Sequence, residues 1–88
     1  MRREEVVELI KNLYEELGDL GLTPKIGNNY WPADDSYTLQ ILANRLYTQD
    51  LEWILSFAKK HKLEVRLDIR YNSILVEFYD IQHKGGDW

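Results

Sequence analysis

The strongest constraint on the fold lies between residues 63 and 81. Leu63, Val65, Leu67, Ile69 and Tyr71 alternate strictly with Glu64, Arg66, Asp68 and Arg70. A period of two sends successive side chains to opposite faces of a strand, so this segment predicts a strand with one apolar and one charged face. Asn72 and Ser73 supply a two-residue turn, since asparagine tolerates positive φ, and residues 74–81 run back. With those two residues as the loop, Tyr71 faces Ile74, Ile69 faces Val76 and Leu67 faces Phe78. Directly opposed residues share a face, so the apolar sets of both strands coincide. A slip of one residue would turn Val76 and Phe78 to the wrong side.

An apolar sheet face needs a cover, and two amphipathic segments provide it. In Arg3–Leu17, Val6, Leu9, Ile10, Leu13, Tyr14 and Leu17 recur at helical spacing, with Glu4, Glu8, Lys11, Glu15 and Glu16 opposite. Gly18 is placed to end this helix, and Gly21 and Pro24 prevent its resumption. A second helix follows Thr48, read as its N-cap, with Asp50 and Glu52 in the first turn. Leu51, Trp53, Ile54, Leu55, Phe57 and Ala58 form its broad apolar arc, and Lys59, Lys60, His61 and Lys62 crowd its C-terminal end.

Between the helices, residues 23–27 read as a short strand and 27–36 as a loop dense in turn formers. Tyr37, Leu39 and Ile41 alternate with Thr38 and Gln40 as a half-buried strand does. Leu39, Leu42, Ala43 and Leu46 also fit a helix, but Tyr, Thr and Ile favour the pleated surface. The expected order is thus αββαββ, an α+β two-layer sandwich with two helices on one face of a mainly antiparallel four-stranded sheet. That order is what a ferredoxin-like βαββαβ unit becomes when its first strand moves to the end, a permuted ferredoxin-like arrangement. The last strand then lies inside the sheet. Apolar residues on both faces of 74–81 suit that position, whereas the charges of 63–71 suit an edge.

At 88 residues the expectation is one domain over 1–81 and a loose tail over 82–88. There is no cysteine, so the core, drawn from a 44% apolar composition, must hold the fold without disulfide or thiolate. The N-terminus leads directly into the amphipathic pattern, and no apolar run is long enough to span a bilayer, which together predict a cytoplasmic protein. A net charge of −4, with acids and bases interspersed, argues against non-specific nucleic-acid binding.

The expected outer face carries Glu64, Arg66, Asp68, Arg70, Leu75, Glu77, Tyr79 and Ile81. The register above sets Asp68 across from Glu77. Two facing carboxylates would suit a small metal-dependent hydrolase or nuclease, whereas neutralisation by Arg66 and Arg70 would make them a plain charge ladder. Arg66, Arg70 and Tyr79 are the residues that single-stranded nucleic-acid binding would use. Leu75, Tyr79 and Ile81 suit burial against a protein partner or a second copy of the chain, and Tyr30 and Trp31 are aromatic anchors on a loop. Asp34 and Asp35 lack the spacing of a calcium loop. His61 and His83 are the only histidines and have no partner at metal-ligand spacing. Nucleophile elbow and phosphate loop are missing, and no cofactor or metal is expected. The sequence thus favours a small non-catalytic module that binds protein, in the manner of viral or mobile-element accessory proteins.

Overall fold

The computed structural model describes residues 1–18, 21–28 and 37–80. The expected tail over 82–88 and most of the expected 27–36 loop lie outside them. Six elements follow in order: α1 (Arg3–Leu17), β1 (Pro24–Asn28), β2 (Tyr37–Ala43), α2 (Thr48–Lys60), β3 (Leu63–Arg70) and β4 (Ser73–Asp80). The protein is α+β: the described residues form two helices and one open sheet of order β1-β2-β4-β3, every pair antiparallel. The segment that also fitted a helix is strand β2, and β4 lies inside the sheet with β3 at its edge.

Alternation divides the sheet cleanly. Ile26, Leu39, Ile41, Val76, Phe78, Val65 and Leu63 share one face through the paired registers. Against it pack Val6, Leu9 and Leu13 of α1 and Ile54, Phe57 and Ala58 of α2. Phe78 is fully buried at the centre and meets the edge of Phe57 with ring centroids 5.4 Å apart. Met1 joins the same core, and its carbonyl accepts the Tyr37 backbone N–H at 2.9 Å.

Helix boundaries follow from satisfied end groups. Gly18 ends α1 with φ 72, a region open to glycine, while its N–H donates to the Tyr14 carbonyl at 2.8 Å. Tyr47, not Thr48, is the N-cap of α2. Its N–H donates to Asp50 Oδ2 at 2.9 Å, and the other oxygen of that carboxylate accepts from Trp53 Nε1 at 3.2 Å. Asp50 therefore closes the helix from three residues inside, which a threonine hydroxyl would have done from outside.

The hairpin register differs from expectation. Its turn is Tyr71-Asn72, with φ of 54 and 61, and Arg70 pairs with Ser73. Ile69 consequently faces Ile74, Leu67 faces Val76, and Arg66, not Asp68, faces Glu77. Each residue keeps its face because the partner changes by two. The reason is electrostatic: the expected pairing opposes two carboxylates, whereas the observed one opposes a guanidinium and a carboxylate.

Cover by the helices is incomplete. The face of Leu67 and Ile69 is the helix-bearing one, yet these side chains remain 51% and 73% exposed. On α2 the apolar arc is likewise only half used, since Ile54, Phe57 and Ala58 are buried while Leu51 and Leu55 are exposed.

Candidate interaction surfaces

On the second sheet face, alternation aligns Thr38 and Gln40 of β2, Glu77 of β4 and Arg66 of β3 across three neighbouring strands. Glu77 is only 4% exposed. Its Oε2 accepts from Thr38 Oγ1 at 2.7 Å and Gln40 Nε2 at 2.8 Å, and its Oε1 from Arg66 Nε at 2.7 Å. Burial pushes the Glu77 carboxyl up, but donation from Gln40, Thr38 and Arg66, with the guanidinium charge, outweighs it and holds the group below its ordinary value. Gly27 belongs to this cluster through space, not through φ. A Cβ there would stand 2.3 Å from Gln40 Cδ, so the missing side chain leaves room over β1 for the Gln40 conformer whose amide bonds Glu77 on the next strand.

Asp68 and Glu77, expected to oppose one another, do not. Asp68 faces Leu75, and its Oδ1 accepts the Ile69 backbone N–H at 2.8 Å. Among the described residues no three of His, Cys, Asp and Glu gather as metal ligands do. The Arg66–Glu77 pair is the neutralisation that the ladder reading expected, but it is built around a buried carboxylate rather than a solvated one.

Leu75 is 2% exposed and offers no contact surface. Tyr79 is half-buried on the same face. Arg66 is half exposed and engaged with Glu77, and Arg70 is exposed beside the turn. Tyr30, Trp31, Asp34, Asp35, Ile81 and His83 lie outside the described residues. His61 caps the C-terminal end of α2, its ring against Phe57 and its Nε2 2.9 Å from Glu16 Oε2.

The apolar surface missed by sequence reasoning lies instead on the helix side. Leu46, Leu51, Leu67, Ile69 and Ile74, with Asp68 at the rim, line an open groove of about 440 Å³ between the start of α2 and the end of the hairpin. Leu55, one turn beyond Leu51, extends the apolar flank of the helix. The strand pattern carried no signal for it: Leu67 and Ile69 lie near the turn, and their exposure depends on how far α2 extends over β3. Comparison with family models, curated proteins and solved structures gives no match to this chain.

Proposed function

We propose that the chain is a small non-catalytic interaction module that binds protein through the apolar strip formed by Leu51, Leu55, Leu67 and Ile69. The observation that carries this reading is the exposure of large aliphatic side chains, contiguous across α2 and β3, on the face that otherwise forms the core. Contiguous apolar surface on a small domain marks interaction sites, because leaving it in water costs about 25 cal/mol per Å². Engagement of Arg66 by Glu77 and the net charge of −4 favour protein over nucleic acid as the partner.

The architecture is a permuted ferredoxin-like sandwich. The order β1-β2-β4-β3 supports it, as does the placement of residues from both helices in one core with Leu39, Ile41, Val76 and Phe78. Nuclear Overhauser contacts should run from both helices to those four residues; helix contacts to Thr38 or Leu75 would overturn it.

Binding is tested by immobilising the wild-type chain and a Leu67→Lys, Ile69→Lys double variant at equal density and exposing both to cell lysate and to soluble wild-type chain. A binder held by the wild type should be lost at least tenfold by the variant, since a lysine at the centre of an apolar contact must be desolvated. Equal retention by the two surfaces, or none by either, sinks the reading.

A further inference from the structure

We infer that the partner is a second copy of this chain, joined edge to edge through antiparallel pairing of β3 with its symmetry mate about a two-fold axis at Leu67. This rests on the protein-binding reading above and names its partner. Among the described residues β3 pairs only with β4, so its other edge presents backbone groups outward. Arg70 and Ser73 flank the two-residue turn and exchange hydrogen bonds, as residues in that position do. By alternation, Glu64, Arg66 and Asp68 also direct their backbone toward β4, while Val65, Leu67 and Ile69 direct theirs away. The Ile69 N–H confirms the direction, since it is held by the side chain of Asp68 rather than by β4.

Only registers that oppose outward-facing residues to one another form a ladder and keep both apolar faces on one side. Centring the axis on Arg66 or Asp68 would oppose arginine to arginine or acid to acid. Centring it on Leu67 sets Leu67 against its mate, Val65 against Ile69, Arg66 against Asp68 and Glu64 against Arg70. Every charge then meets its opposite, twice over by symmetry, and the overlap is longest. The ladder contributes roughly six backbone hydrogen bonds, two of them formed as the Ile69 N–H of each copy leaves Asp68 Oδ1 for the Val65 carbonyl of its mate. Beneath the joined sheet, Leu51 and Leu55 of each copy flank the paired Leu67 and Ile69, so the uncovered strip becomes continuous core.

Sedimentation of the wild-type chain should show a concentration-dependent dimer. Glu64→Arg and Arg70→Glu, each alone, should raise its dissociation constant roughly tenfold, because each opposes like charges at both symmetric crossings. Mixing the two variants one to one restores opposite signs at both crossings and should restore the dimer, an outcome that misfolding of either variant cannot produce. As a second readout, the cysteine-free chain permits single thiols. Oxidised Leu67→Cys should give a covalent dimer, since the paired Cα atoms stand about 5.5 Å apart. Ile69→Cys should not, as it faces residue 65 of the mate. A monomer at every concentration, a dimer indifferent to the charge reversals, or equal crosslinking at 67 and 69 overturns the inference. Should the wild type stay monomeric while its surface still captures a binder that Leu67→Lys, Ile69→Lys loses, the partner is another protein and the broader reading stands.

Discussion

Glu77 and Gly27 show how much one residue decides on the second sheet face. A carboxylate at the centre of a sheet is costly unless its oxygens are bonded, and here three donors from two neighbouring strands supply that. One donor, Gln40, arrives only because residue 27 has no side chain. Gly27→Ala should therefore cost about 1 kcal/mol, the value of the displaced Gln40–Glu77 bond, and Gln40→Ala a similar amount. Introducing Gly27→Ala into Gln40→Ala should add almost nothing, since the atoms it collides with are gone. Urea unfolding of the two single variants and the double variant measures the coupling. Full additivity would mean that the glycine serves something other than Gln40.

Among the elements, the β3–β4 hairpin carries the clearest local strain. Tyr71 and Asn72 both occupy positive φ, as a type I′ turn demands, and tyrosine is poorly suited to that region. Tyr71 is 87% exposed, so packing offsets little of its cost. Replacing the pair with Asn-Gly, through Tyr71→Asn and Asn72→Gly, should stabilise the protein by about 1 kcal/mol without altering the register. Thermal unfolding reports the gain. A lower melting temperature would mean that Tyr71 contributes a contact worth more than its backbone strain. The charge pattern of β3 explains why the turn alone does not set the register: moving the turn by one residue exchanges an acid–acid crossing for the Arg66–Glu77 pair.

For the whole molecule, the buried carboxylate links stability to pH. Glu77 binds its proton less tightly folded than unfolded, so its contribution is fully present above its unfolded value, taken as 4.5, and is lost as pH falls through the lower folded value. Glu16, lowered where donation from His61 and Lys60 outweighs its own desolvation, acts in the same direction. Stability measured by urea should decline below about pH 4.5. Glu77→Gln, which places an amide among donors, should cost about 1–3 kcal/mol at neutral pH and flatten that acid limb. An unchanged acid limb in the variant would assign the decline to other carboxylates.

Local pattern determined a great deal by itself. Periods of 3.6 and two in the apolar residues specify both helices and the face on which the paired residues of the hairpin lie, because side-chain direction follows from backbone geometry alone; β2, whose period also fitted a helix, was decided by the strand preference of Tyr, Thr and Ile. The N-terminal end of α2, the register of the hairpin and the site were left to the tertiary structure. Asp50 closes α2 through a bond whose geometry, unlike its residue type, is not written in sequence. The pairing of Arg66 with Glu77 depends on which of two turns leaves unlike charges opposed. Exposure of Leu67 and Ile69 depends on where a helix ends above a sheet, a distance between elements that no local periodicity encodes.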